Sequence, residues 1–287
     1  EILEAEGIEF RTGIRVGKDL SWQELRDGHD AVLIAIGAQK HRDIDLPGRE
    51  LDGVHFAMDY LERQNRKIAV VDVVAIDARD KHVVILGGGD TGSDCYGTAI
   101  RQGAASVVQI QLWPAPPDQR PTGNPWPQWP QVFRTSASQE EGGTREFGCL
   151  TKRILGEAGR VSALELVRIE AIPQPGQRRP KAKEVEGSTF EIPCDLLVLA
   201  IGFTGHDDPT LGEQLGAEID SGGRIVVGDD FATSAKGVYC AGDAMRGASL
   251  IVWAIADGRE AARGIDAFLR QGESLLPSKG IDSPFEE

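Results

Sequence analysis

Apolar positions along the chain fall into two kinds of run. Some are nearly unbroken: Asp30 to Gly37 reads DAVLIAIG, His82 to Leu86 reads HVVIL, and Cys194 to Phe203 reads CDLLVLAIGF. Short apolar runs of this kind, ended by glycine, suit strands buried on both faces of a parallel sheet. Others keep helical spacing. Ser249 to Arg270 places Ile251, Ala254, Ile255, Ala261, Ala262, Ile265 and Phe268 on one stripe and predicts a helix. Asp90 to Gln102 predicts a second helix, and Ser21-Trp22-Gln23-Glu24 has the spacing of a capping box that starts a third. Glu1 to Glu6 reads as the end of an amphipathic helix.

Further strands are predicted over Gly7 to Gly17 (on Ile8, Phe10, Ile14 and Val16), Ser106 to Trp113, Ser188 to Ile192, Ile225 to Val227 and Gly237 to Cys240. Phe147 to Ala171 reads as two strands joined by Gly156-Glu157-Ala158-Gly159. Pro114 to Pro130 (PAPPDQRPTGNPWPQWP) is too rich in proline for a helix interior or a central strand, so a rigid loop is expected, with a polyproline ligand as the alternative. The charged stretch Gln174 to Glu186 is expected to be a solvated loop.

The runs Asp30–Gly37 and Asp195–Gly202 align without a gap. Either buried strands simply look alike, or a nucleotide-binding unit is duplicated and each strand delivers its glycine, Gly37 or Gly202, to a ligand crevice.

The clearest local unit is strand, glycine loop, helix, strand over residues 82–113. Gly87-Gly88-Gly89-Asp90-Thr91-Gly92 fits G-x-G-x-x-G and sits where that motif requires, after an apolar strand and at the opening of a helix. Gly87 permits the tight turn, Gly89 lets the backbone approach a pyrophosphate, and Gly92 lets helix and strand pack closely. The helix start then offers N–H groups and a positive dipole end to phosphates. The competing reading is a purely structural glycine turn. An NAD site usually has an acid at the end of the second strand, on the ribose hydroxyls. Here that strand ends Gln109-Ile110-Gln111-Leu112-Trp113, and Arg120 follows in the loop, which favours NADP(H) over NAD(H). Arg120 reads equally well as a surface residue.

A second signal is Gly237-Val238-Tyr239-Cys240-Ala241-Gly242-Asp243, followed by the helix that begins near Ser249. A strand ending in Gly-Asp can present a carboxylate to a hydroxyl of a sugar-like chain. The next helix can aim its N-terminus at a ring that gains negative charge on reduction.

Composition narrows the function. A chain of 287 residues is one large or two medium domains, and 35 glycines suit many tight turns or close approaches to a ligand. A net charge of −14 argues against nucleic acid and against anionic membranes, both of which need clustered Lys and Arg. Cys95, Cys149, Cys194 and Cys240 are widely spaced with no C-x-x-C, so buried, reduced thiols of a cytoplasmic protein are expected rather than a zinc site or redox pair. The five histidines show no metal spacing. No apolar run reaches the ~18 residues of a membrane span, and the opening residues carry no secretory pattern. Because the chain opens on Glu1 rather than Met, a fragment or processed piece of a longer protein is expected.

The order of these signals resembles the two-dinucleotide-binding-domain flavoprotein reductases, in which a nicotinamide domain is inserted into a split flavin domain. More closely, it is similar to the small (beta) subunit of glutamate synthase and the equivalent region of single-chain enzymes. The segments GIEFRTGIRVGKDL, HFAMDYL, GGGDTGSDC, NPWPQWPQVF and GVYCAGDAMRGASLIVWAIADGREAA carry that resemblance, which covers nearly the whole chain. It implies an α/β fold with a Rossmann-like NAD(P)H-binding domain over residues 78–204, inserted into an N-terminally truncated FAD-binding domain made of residues 1–77 and 205–270, with 271–287 as a tail. It implies that Gly87, Gly88, Gly89, Asp90, Thr91 and Gly92 hold the nicotinamide dinucleotide. Gly242 and Asp243 would contact the FAD pyrophosphate and ribityl chain, and Ser249 and Leu250 would lie near the flavin pyrimidine edge.

The implied activity is hydride transfer from NAD(P)H to FAD, with electrons leaving through iron–sulfur clusters to the glutamate synthase large subunit or an equivalent domain. The chemistry belongs to the cofactors, so no catalytic acid or base is named. Three features depart from the family: the cysteine-rich domain that binds the clusters and the first G-x-G-x-x-G, which holds the FAD ADP moiety, do not occur in these residues, and Ala248 stands where a larger polar residue is expected. Rival readings are an electron-input subunit with another acceptor (pyrimidine-reducing or ferredoxin-linked), a disulfide reductase, for which the cysteine pair is missing, and a non-catalytic nucleotide-binding module.

Overall fold

The structure, a computed structural model, describes residues 1–69, 75–126, 130–174 and 180–278. The chain forms two compact units. One holds Glu1–Lys40 and the stretch that starts at Phe203; the other, inserted between them, holds His41–Gly202. Elements are numbered in chain order.

In the outer unit, α1 (Ile2–Ala5), α2 (Trp22–Asp27) and β1 (Val32–Ile34) come before the insertion, and α6 (Leu211–Leu215), β10 (Val238–Cys240), α7 (Asp243–Arg246) and α8 (Ile251–Arg270) come after it. The capping box is formed as expected: the Ser21 hydroxyl accepts from the Glu24 N–H, and the Glu24 carboxylate accepts from the Ser21 N–H. β1 and β10 pair in parallel, Val32 opposite Val238 and Ile34 opposite Cys240, so both run toward the same edge. Trp22, Ile34, Leu211, Ile225, Val238 and Cys240 form the buried core beside them.

Two expectations fail in this unit. Gly7 to Gly17 forms no strand, only an isolated bridge between Val16 and Leu20. Gly7 and Gly13 sit at φ +89° and +76°, and Ile8, Phe10 and Ile14 are about half exposed, so nothing holds the segment extended. Ile225 to Val227 likewise makes only isolated bridges.

The inserted unit is a three-layer sandwich. Its centre is a five-stranded parallel sheet of β2 (Val54–Phe56), β3 (His82–Leu86), β4 (Ser106–Gln111), β5 (Thr144–Phe147) and β9 (Leu196–Leu199), in the order β2-β9-β3-β4-β5. Strands buried on both faces explain the unbroken apolar runs. Val83, Ile85, Leu196 and Val198 pack against α3 (Ala57–Ile68) and α4 (Asp90–Gln102) through Tyr60, Cys95, Tyr96 and Ala99. Val84, Leu86, Leu197 and Leu199 face the other way. They meet Ile154, Leu164 and Leu166 of an antiparallel sheet, β6 (Cys149–Glu157), β7 (Arg160–Ile172) and β8 (Lys181–Pro193). A short α5 (Ala137–Glu140) precedes β5.

The charged stretch expected to be a loop is partly strand: Lys181 to Glu186 belongs to β8, while residues 175–179 lie outside the described residues. β8 is an edge strand whose residues are mostly exposed or half-buried, so its charges stay solvated while its backbone pairs with β7. The described part of the proline-rich stretch has no regular structure, and residues 127–129 lie outside. The inserted unit opens at His41, earlier than the sequence-based division at 77/78, because Val54–Phe56 adds to the parallel sheet beside β9. At its other end the Arg42 N–H donates to the Gly202 carbonyl at 2.9 Å, which brings the ends of the unit together. Among the described residues no helix is long and apolar enough to cross a membrane.

Candidate functional site

The glycine loop joins β3 to α4 at the C-terminal edge of the parallel sheet, where ligands of such sheets bind. Gly87 has φ +117°, and a Cβ there would be driven into the carbonyl oxygen of Ala200 just past β9. Its own N–H donates to the Ile110 carbonyl at 2.9 Å, so the turn is fastened to the strands on both sides. Gly92 lies inside the first turn of α4, where a Cβ would come within 2.7 Å of the Gly87 oxygen and 2.9 Å of Gln109 Nε2. Gly88 is backed by the Gln111 side chain. Gly89 is different: it is the N-cap of α4, its Cβ position has no atom within 4 Å, and no side chain caps the helix. Asp90 and Thr91 follow as the first helical residues. The loop is therefore tight where it meets protein and open at the helix N-terminus, a cradle with the donors and the space that a phosphate needs.

Gly202 lies on the same edge, two residues beyond Ala200, whose N–H donates to the Leu86 carbonyl at 2.8 Å. On the side away from α4, a cavity of about 330 Å³ opens beside Gly87, lined by Leu86, Ile110, Leu112, Cys149, Thr151 and Ile201. Arg120 sits in the loop beyond β4, where one guanidinium nitrogen donates to the Asn124 carbonyl at 3.1 Å. No acid stands at the end of β4, which closes on Gln111.

Sequence reasoning missed Gln109. It lies in the middle of β4, fully buried, and its Nε2 donates to the Gly87 carbonyl at 2.9 Å. The signal was present: a lone amide in the apolar run Val107-Val108-Gln109-Ile110 must find partners when buried.

The remaining predicted residues gather in the outer unit. Gly37 at φ +72° lies just past β1, and Gly242 at φ +70° just past β10, so the paired strands deliver both to one edge. A Cβ on Gly242 would meet the Ala254 Cβ of α8 at 3.3 Å. The Asp243 carboxylate accepts from the Ser249 N–H at 3.1 Å and from its hydroxyl at 2.7 Å, which ties the strand end to the start of α8. Leu250 is the N-cap of α8, half exposed, and no side chain caps that helix either. Behind it Asp257, only 3% exposed, holds Arg246 in a bidentate pair (2.6 and 3.0 Å), and Arg246 lies over the Trp253 ring. Asp257 was also missed, although it falls on the stripe of Ala254 and Ala261. These residues fit the sugar–phosphate part of a flavin dinucleotide in the Gly-Asp turn and the uncapped helix.

All four cysteines are unpaired and buried. Burial pushes the thiols of Cys95, Cys194 and Cys240 up to about 12. Burial also raises that of Cys149, against the opposing effect of Arg168. None is set up as a nucleophile.

The family model described as pyridine nucleotide-disulphide oxidoreductase matches residues 4–258. The chain is 46% identical to the glutamate synthase [NADPH] small chain of Mycobacterium tuberculosis, over 96% of this chain and 56% of that one. It is 38% identical to the small chain of Bacillus subtilis (96% and 58%) and 39% identical to the glutamate synthase [NADH] of Saccharomyces cerevisiae (98% and 14%). The chain thus spans about half the length of the bacterial relatives. Among solved structures, Mycobacterium tuberculosis FprA in complex with NADPH aligns with a TM-score of 0.68 at 19% identity, covering 90% of this chain and 68% of that one. The thioredoxin reductase of T. acidophilum aligns at 0.55 with 18% identity, covering 84% and 66%. At these identities the likeness is one of fold.

Proposed function

The chain belongs to the pyridine nucleotide-disulphide oxidoreductase family, and from that premise we propose that it is the electron-input part of a glutamate synthase, taking reducing equivalents from NADPH. The inserted unit holds the nicotinamide dinucleotide on Gly87 to Gly92, with Gly202 on the same edge. The outer unit contributes Gly37, Gly242, Asp243, Ser249 and Leu250 to the FAD site. When bound, the two cofactors supply the chemistry, a hydride from nicotinamide to flavin and electrons onward to iron–sulfur clusters outside these residues.

The chain's own contribution is placement and charge. The α4 N-terminus receives pyrophosphate through backbone N–H groups. Asp243, held by Ser249, accepts from a ribityl hydroxyl. The α8 N-terminus places a positive dipole end where reduction adds negative charge. The partner is the glutamate synthase large subunit or its equivalent domain, to which electrons leave. NADPH is favoured over NADH by the absence of an acid at the end of β4 and by the [NADPH] designation of the bacterial relatives. Four buried, unpaired thiols suit a reducing compartment, and the cytoplasm is the one we assign.

The observation that carries this reading is Gly89, an N-cap with open space where its side chain would be, at the start of a helix that no side chain among the described residues caps. An absorbance spectrum of the purified chain, followed by anaerobic NADPH and then NADH, tests it. Flavin bands that bleach with NADPH first are expected. A colourless chain that still binds NADPH reduces the proposal to the nucleotide-docking half, and a chain that binds neither nucleotide ends it.

A further inference from the structure

The glycine loop is held from beneath by a chain of two amides. Gln109 Nε2 donates to the Gly87 carbonyl at 2.9 Å, and Gln109 Oε1 accepts from Gln139 Nε2 at 2.8 Å. Gln139 Oε1 in turn accepts from the Ser136 N–H at 2.9 Å and from Arg145 Nη1 at 3.1 Å. The polarity of this chain is fixed at both ends. A backbone carbonyl can only accept, and a guanidinium and a backbone N–H can only donate, so each amide has one orientation that satisfies all four links.

Arg145 is itself clamped. It lies over the Phe133 ring at 4.4 Å and donates to the Arg134 carbonyl at 2.7 Å and the Thr135 hydroxyl at 2.9 Å. The Phe133 N–H donates to the Pro117 carbonyl at 2.8 Å, so the clamp also roots the proline-rich loop that carries Arg120.

We propose that Gln109 and Gln139 are positioning residues of the dinucleotide site, setting the Gly87 carbonyl and hence the aim of the α4 N-terminus, and linking the glycine loop to the loop beyond β4. This rests on the reading that Gly87 to Gly92 bind a nicotinamide dinucleotide. The link acts through geometry: Gln109 lies under both Gly87, through its hydrogen bond, and Gly92, whose missing Cβ leaves room for Nε2. Neither amide needs to touch the nucleotide.

The discriminating variant is Gln139→Glu. It keeps size and shape, and its carboxylate still accepts from Arg145 and the Ser136 N–H, but it cannot donate to Gln109 Oε1. The experiment measures the dissociation constants of the full chain for NADPH and NADH by fluorescence titration, with the thermal midpoint of the nucleotide-free protein alongside. One neutral hydrogen bond corresponds to between about twofold and about tenfold in affinity. The expected result is a rise of that size in the NADPH constant, with the nucleotide-free midpoint lowered by only about 2–6 °C, because one hydrogen bond is lost while the Arg145 contact is retained. A Gln109→Glu variant, which sets a carboxylate against the Gly87 carbonyl, should weaken NADPH more than Gln139→Glu does. Unchanged NADPH affinity in both variants overturns the positioning role. So does a loss of affinity in Gln139→Glu that vanishes when the titration is repeated well below the midpoints of both proteins. If the wild-type chain binds neither nucleotide, the dinucleotide reading fails and takes this inference with it.

Discussion

Gly87 and Gly89 stand two residues apart in one loop in opposite surroundings, and paired alanine variants separate a glycine that the fold requires from one proposed to face a phosphate. At Gly87 a methyl group meets two obstacles. A φ of +117° is a region side chains rarely adopt, worth about 1–3 kcal/mol of strain. The Cβ would also be driven into the Ala200 carbonyl oxygen, a backbone atom that cannot swing aside, and overpacking of this kind costs about 1–3 kcal/mol more. Gly87→Ala should therefore destabilise the fold by about 2–6 kcal/mol and lower the thermal midpoint by roughly 5–20 °C. At Gly89 φ is −79° and the Cβ position has nothing within 4 Å. The one cost to the fold is that Ala is a poor N-cap, about 0.5–1 kcal/mol. The methyl group does, however, occupy the space above the uncapped start of α4. Loss of one charge-assisted phosphate contact is worth about 1.5–3 kcal/mol, so NADPH should bind about ten- to 150-fold more weakly. Differential scanning fluorimetry and an NADPH titration on both variants are sufficient. Gly89→Ala binding NADPH within twofold of wild type would refute the reasoning, as would a drop in midpoint equal to that of Gly87→Ala.

Three more outcomes are expected. Arg246→Met leaves the Asp257 carboxylate buried without its cation and should destabilise the outer unit by about 3–5 kcal/mol in urea unfolding; a change under 1 kcal/mol would show that the pair is not holding α7 to α8. Ser249→Ala removes the hydroxyl that holds Asp243 and should loosen FAD by about two- to tenfold without changing NADPH affinity, as read by flavin release on dilution; equal effects on both nucleotides would contradict the assignment. Stability should fall from about pH 9 upward. Cys95, Cys194 and Cys240 stay protonated in the fold to about 12, whereas in the unfolded chain they ionise near 9, so each adds about 1.4 kcal/mol of destabilisation per pH unit inside that window, and a midpoint flat from pH 9 to 11 would contradict it.

Local punctuation decided which parts of the fold could be read from the sequence. The bounds of β3 and α4 agree with expectation because a glycine loop starts the helix and Gly103, in the left-handed conformation, stops it. The capping box did the same for α2. The first half of β8, Lys181 to Glu186, was read as loop because its charges obey solvent, while its strand identity comes from β7, a partner that local composition does not reveal. α3 went unnoticed because its buried stripe is thin, with only Ala57 and Tyr60 fully covered. The glycine candidates were legible as motifs. Gln109, Gln139 and Asp257 were not, since the meaning of a buried polar side chain lies in the partners that folding brings to it.

The hydrogen bond between Arg42 and Gly202 also bears on the order of events in folding. To the outer unit, everything from His41 to Gly202 is one loop of about 160 residues, and closing a flexible loop that long costs on the order of 4–5 kcal/mol. With the inserted unit already folded, its two ends are held together by the hydrogen bond from Arg42 to Gly202, and the stretch to be closed shortens by the length of the insertion. Strands β1 and β10 are then separated by the outer unit's own residues, 35–40 and 203–237, and no longer by the whole insertion as well. An insertion that folds first thus lowers the entropy cost of closing the outer unit, and a lesion in its parallel sheet is expected to slow assembly of a unit it does not belong to.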